Sequence, residues 1–122
     1  MEIEILRPLG PLLGKVRLPT DLIEYLNANM SENLKDYSDN LVGKVKQELL
    51  FSDEICAYVL DKLGPAFAAY HKQYVSADVG ASLDIKATSG WYVRQFAGDY
   101  NPIHVHTNGS ISCVGYLSLP EG

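Results

Sequence analysis

The sequence is poor in several residue types, and each shortage excludes a class of protein. Its two cysteines, Cys56 and Cys113, have no disulfide-framework or zinc-site spacing, which predicts reduced thiols. No apolar run approaches the roughly 20 residues that a membrane-spanning helix needs. The first residues are acidic where a secretory signal peptide would be basic. We therefore expect a cytoplasmic protein.

Positive charge is also scarce. Ten Lys and Arg residues stand against 15 Asp and Glu, which gives a net charge of −5. Surfaces that bind nucleic acids or anionic membranes need clustered basic residues, so we expect neither as a partner. The chain has 122 residues, of which 47% are hydrophobic, and this predicts one domain with a modest core, residues 1–122.

Helix signals fill the first part of the chain. After a short alternating strand at 2–6, a capping sequence and apolar residues at helical spacing predict a helix over about 20–30. A polar loop is expected at 31–44. A second cap at 52–54 begins a longer helical region, whose buried face should carry Ile55, Val59, Leu63 and Phe67. Gly64-Pro65 predicts either a kink in this region or two helices joined there.

Strand signals fill the last part of the chain. We expect strands at 83–87, 91–96, 103–105 and 111–119. Because helices come first and strands last, the predicted fold is α+β, with residues 1–75 mostly a helical cover and 81–122 an antiparallel sheet. This arrangement predicts burial of the aliphatic and aromatic strand residues, namely Trp91, Ile103, Val105, Ile111, Cys113 and Leu117.

The pair His104 and His106 is the candidate site. On a strand, the period of two puts both imidazoles on one face and the aliphatic residues beside them on the other. Imidazole is a common ligand of Fe, Zn, Ni and Cu. The turn signal 107–110 and the strand 111–119 then predict a hairpin with a metal site at its tip. Two exposed strand histidines are the alternative, and His71, in a helical stretch, is not an expected ligand.

Three segments, Ser89–Val93, Gly98–His106 and Ser112–Pro120, resemble the iron(II)/2-oxoglutarate-dependent oxygenases. The resemblance is to the small oxygenases of marine bacteria and their phages, and it is specific over 89–120. The shared pattern is a tryptophan strand, a Gly-Asp turn, His-x-His, and a serine-containing strand ending in proline. It implies a helix-backed, partial double-stranded β-helix (jelly roll). A phage-encoded member would act in the host cytoplasm.

The resemblance implies Fe(II) as metal, 2-oxoglutarate as cosubstrate and O₂ as oxidant of a hydroxylase. His104 matches the first iron ligand of the family, and His106 stands where a carboxylate is expected, so Asp99 is a candidate substitute. Tyr92, Arg94 and Tyr116 are the candidates for lining the cosubstrate pocket. In the family the distal histidine and the basic 2-oxoglutarate anchor follow later, and no histidine follows His106 here. We therefore expect the N-terminal part of an oxygenase-like domain, inactive alone.

Two other functions stay open at this point. One is a non-catalytic phage or bacterial structural or binding module that keeps the hairpin without turnover. The other is a cupin-like barrel that binds metal through His-x-His without 2-oxoglutarate. Since half a barrel leaves strand edges unpaired, we also expect a second copy or a partner to complete the sheet. The substrate, a small molecule or a protein side chain, is not identified by the sequence.

Overall fold

Two helices and two small antiparallel sheets make up the described part of the fold, which is α+β as the sequence predicts. The computed structural model describes residues 1–41, 43, 45–75 and 84–121. The elements, in chain order, are β1 (Glu4–Leu6), β2 (Leu13–Lys15), α1 (Thr20–Asn29), a 3₁₀ turn (Ser38–Asn40), β3 (Gln47–Leu50), α2 (Asp53–Val75) and β4 (Trp91–Arg94).

The opening strand is confirmed as β1, and its partner β2 was missed by the sequence analysis. The two strands pair with Ile5 opposite Gly14. A Cβ atom at Gly14 would lie 2.8 Å from the Ile3 side chain and 2.9 Å from the Tyr70 ring. Tyr70 also donates a 2.7 Å hydrogen bond to the Leu12 carbonyl. This close approach fixes the first sheet against α2.

Helix α1 agrees with the predicted range to within one residue. Pro19 occupies its N-cap position, and the Asp21 carboxylate accepts a 2.9 Å hydrogen bond from the Leu22 N–H. The Asp21 carboxylate also pairs with the Lys62 ammonium of α2. Leu22 and Leu26, four residues apart, form the buried stripe. The helix therefore lies on α2 through one apolar face with an ion pair at its edge.

Helix α2 is one element rather than two, with Pro65 inside it. The predicted cap is confirmed, because the Ser52 hydroxyl accepts a hydrogen bond from the Ile55 N–H at 3.3 Å. Pro65 is exposed, while Leu63 and Ala66 on either side of it are buried. Packing on both sides of the proline holds the helix together despite the lost backbone donor.

The core lies between the two helices and one face of the second sheet. As predicted, Ile55 and Leu63 of α2 are buried, and Val59 and Phe67 pack half-buried against the same cluster. The buried cluster consists of Leu22, Leu26, Leu49, Ile55, Leu63 and Tyr92. The two helices thus pack on one face of the second sheet, and one strand of that sheet, β3, lies inside the range 1–75 that was expected to be mostly helical.

The second sheet pairs β3 with β4, with Leu50 opposite Trp91 and Glu48 opposite Val93. Residues 35–37 run along the other edge of β3, where the Leu50 N–H donates to the Lys35 carbonyl at 2.8 Å. Strand β3 therefore has neighbours on both sides. It was missed because its four residues show no alternation and lead directly into a helix cap. β4 confirms the start of the strand expected at 91–96.

The other three expected strands, at 83–87, 103–105 and 111–119, are wrong for the described residues. Residues 101–121 contain no regular strand, and 84–87 are irregular, while Leu83 lies outside the described residues. Ile103 is 106% and Val105 83% exposed. Of the other residues expected to be buried, Ile111 and Cys113 are exposed, and Trp91 and Leu117 are half-buried. A strand needs a neighbouring backbone to accept its hydrogen bonds, and no described residue provides one for this segment.

Candidate metal-binding histidine pair

The site lies beside the face of the second sheet that points away from the helices. Side chains alternate along a strand, so Leu49 and Tyr92 face the helices while Glu48 and Trp91 lie on the opposite face. The Trp91 ring centroid lies 6.5 Å from that of His106. The histidine segment therefore meets the sheet at Trp91.

The two imidazoles converge although they do not lie on a strand. Nε2 of His104 and Nε2 of His106 are 3.2 Å apart, and the ring centroids are 4.9 Å apart. Both side chains are exposed. The expected hairpin is absent from the described residues, yet the expected meeting of the two rings is present.

A backbone contact sets the tautomer of His104. Its Nδ1 lies 2.8 Å from the Pro102 carbonyl oxygen. A carbonyl only accepts hydrogen bonds, so Nδ1 carries the hydrogen, and Nε2 of the neutral ring has the lone pair and can accept a hydrogen bond from His106. This lone pair is on the atom that faces His106. Metal-ligating histidines are commonly oriented by such a second contact.

The separation of the two nitrogens fits a shared metal ion. Metal–nitrogen bonds of about 2.0–2.1 Å place two nitrogens of one tetrahedral or octahedral ion roughly 3.0–3.4 Å apart. A third protein ligand is not at hand, because the described residues contain no group of three His, Cys, Asp or Glu side chains that could hold a metal. The donors therefore fit two positions of a metal site.

Asp99, the candidate substitute carboxylate, is engaged in the turn after β4. Its Oδ2 accepts hydrogen bonds from the Phe96 N–H at 2.9 Å and from the Lys46 N–H at 3.2 Å. The Phe96 hydrogen bond is the main reason that the pKa of Asp99 is lowered. These contacts assign Asp99 to holding the turn that leads into the histidine segment.

The three candidate cosubstrate residues lie in different environments. Tyr92 is 4% exposed in the helix-facing core, and its hydroxyl donates a 2.8 Å hydrogen bond to the Leu26 carbonyl. Burial is the main cause that raises the pKa of Tyr92 to about 12. Arg94 is exposed with its guanidinium over the Phe96 ring, and Tyr116 is exposed. Their role at a cosubstrate stays a prediction.

Glu48 is the residue that the sequence analysis missed. It is 1% exposed, and its Oε2 has no hydrogen-bond partner among the described residues. Burial and, to a smaller extent, the Asp36 carboxylate raise the pKa of Glu48. The only sequence signal is a carboxylate directly before the apolar run 49–51. A buried carboxyl on the face that also carries Trp91 is a functional candidate.

Comparisons with known proteins add no relative: no protein-family model, curated protein or solved structure matches the chain. In the described ranges, neither helix is long and apolar enough to cross a membrane.

Proposed function

We propose that the chain carries the metal-binding part of an Fe(II)- and 2-oxoglutarate-dependent oxygenase of the hydroxylase type, with His104 and His106 as iron ligands. The observation that supports this most is the 3.2 Å approach of the two Nε2 atoms, with His104 oriented by the Pro102 carbonyl. The spacing suits two ligands of one ion, and imidazole suits iron. The sequence pattern around the pair, over residues 89–120, supports the same proposal because it resembles that of this family.

Bound iron would supply the activation of O₂, which couples oxidative decarboxylation of 2-oxoglutarate to succinate and CO₂ with hydroxylation of a substrate C–H bond. The protein's own residues would hold the ion and orient its ligands. Pro102 keeps the Nε2 lone pair of His104 directed at the site, and Trp91 borders the ring of His106. Solvent or a ligand outside the described residues must complete the coordination.

Iron binding is the direct test. We expect anaerobic calorimetry to show one Fe(II) per chain, with binding lost in His104→Ala and in His106→Ala because one imidazole alone holds an ion weakly. His71→Ala is the matched control, since His71 lies in α2, and its affinity should equal that of the wild type. Equal binding by all four proteins would contradict the proposal.

The effect of 2-oxoglutarate on Fe(II) affinity separates the oxygenase from the cupin-like alternative. We expect residues 1–122 alone to bind iron without forming succinate, since the described residues offer two ligands. An effect of 2-oxoglutarate on iron affinity would favour the oxygenase. No effect of 2-oxoglutarate would favour a metal-binding barrel.

A non-catalytic module is the second candidate. The lack of a third ligand among the described residues favours it. It predicts no Fe(II) binding by any form of the chain, so the same calorimetry decides between the two.

A further inference from the structure

We propose that the substrate of this site carries a cationic amine, which Glu48 binds beside the rings of Tyr37 and Trp91. This inference rests on the proposed function, because the bound amine is a substrate only if the site is an oxygenase. The binding of the cation itself can be tested without metal. It starts from a buried carboxylate oxygen that has no partner among the described residues.

The register of the sheet places two aromatic rings around Glu48. The Tyr37 N–H donates a 2.8 Å hydrogen bond to the Glu48 carbonyl, so Tyr37 stands opposite Glu48 across that edge of β3. Trp91 of β4 is the diagonal neighbour of Glu48 on the same face. The Tyr37 and Trp91 ring centroids are 5.5 Å apart, with the rings tilted by 44°. One carboxylate and two rings thus share one part of the sheet.

A cation satisfies this arrangement better than a neutral group. The Glu48 carboxyl has a side-chain hydrogen bond with Ser38, but its Oε2 atom has no partner among the described residues. A buried carboxylate oxygen without a donor is costly, and an ammonium group supplies both N–H donors and the opposite charge. Aromatic faces attract the same group through their quadrupoles. The Asp36 carboxylate adds further negative potential at Glu48.

The position of Glu48 connects the amine site with the histidine pair. A Cβ atom at Gly43 would lie 2.9 Å from Glu48 Oε1 and would also clash with Asn101 Oδ1, so these two oxygens flank the same backbone. Asn101 begins the short segment that leads through Pro102 to His104. Trp91 in turn approaches His106. A groove of about 590 Å³ is lined in part by Tyr37 and Leu50, and so borders one of the two rings.

The test uses the only tryptophan of the chain as its reporter. Without metal, the fluorescence of Trp91 is followed while N-acetyl-lysine methylamide is added, with the neutral N-acetyl-norleucine methylamide as the matched ligand. We expect a saturable change with the lysine compound alone. Glu48→Gln should weaken this binding at least tenfold, whereas Glu54→Gln, at an exposed carboxylate of α2, should leave it unchanged.

Equal responses to both ligands, or equal affinity in wild type and Glu48→Gln, would overturn the proposal and leave Glu48 as a neutral buried acid. Circular dichroism checks the fold, and if Glu48→Gln does not fold, Glu48→Asp replaces it with the same expected loss. A wild-type protein that binds the lysine compound but binds no Fe(II) would refute the oxygenase and keep the amine site.

Discussion

Removing the hydroxyl of Tyr92 tests whether this residue stabilises the core or lines a cosubstrate pocket. Tyr92→Phe removes the 2.8 Å hydrogen bond to the Leu26 carbonyl and leaves the ring in place, so no cavity forms. A typical intramolecular hydrogen bond contributes about 0.5–1.5 kcal/mol to stability. The Leu26 carbonyl keeps a second bond, from the Met30 N–H at 3.1 Å, so the acceptor is not left unsatisfied. We therefore expect a loss in the lower half of that range.

Urea unfolding followed by circular dichroism measures the loss as a lower midpoint at unchanged slope. Tyr116→Phe is the control, because Tyr116 is 69% exposed and should change stability by less than about 0.5 kcal/mol. Fe(II) affinity should be the same in both variants. A Tyr92→Phe protein that keeps full stability but loses an effect of 2-oxoglutarate on Fe(II) affinity would refute the structural role. It would place Tyr92 in the cosubstrate pocket instead.

Two further predictions concern carboxyl groups. Burial raises the pKa of Glu48, so the folded protein binds this proton more tightly than the unfolded chain does. The free energy of unfolding should therefore fall as the pH rises from 4.5 through the raised pKa. Urea titrations at several pH values should show a flatter pH dependence for Glu48→Gln. The hydrogen bond from the Phe96 N–H lowers the pKa of Asp99, so the stabilisation by this carboxylate is present above pH 3.8 and is lost as the pH falls through the lowered pKa. Asp99→Ala should therefore be less stable than the wild type at pH 7. A stability difference that persists unchanged in strong acid would contradict this.

The parts of the fold that the sequence predicts are those with a strong local pattern. Both helices, the buried face of α2 and the start of β4 follow from local periodicity, and the beginning of α2 also follows from its Ser52 cap. Strand β3 does not, because its pairing partners lie far away in the sequence and its own four residues carry no period. The alternation at 103–106 looked equally strong, but alternation only favours a strand where a neighbouring backbone exists.

The candidate site shows the same limit. Convergence of His104 and His106 follows from their spacing, since two residues two apart can turn their rings together in several backbone conformations. The surroundings of Glu48 are built from β3, β4 and residues 35–37, which are three separate segments of the chain. No local pattern marks a residue whose environment is built from such distant pieces.

The pairing of β3 with β4 also has a consequence for how the chain folds. The two strands meet more than 40 residues apart in the chain, from Leu50 with Trp91 to Gln47 with Arg94, and the whole of α2 lies between them. Non-local pairings are slow because the intervening loop must close before any contact forms. A slip of one residue would turn Glu48 into the apolar cluster and Leu49 out of it, which makes the wrong register costly. The opposite preferences of neighbouring Glu48 and Leu49 thus select a single alignment for this long-range pairing.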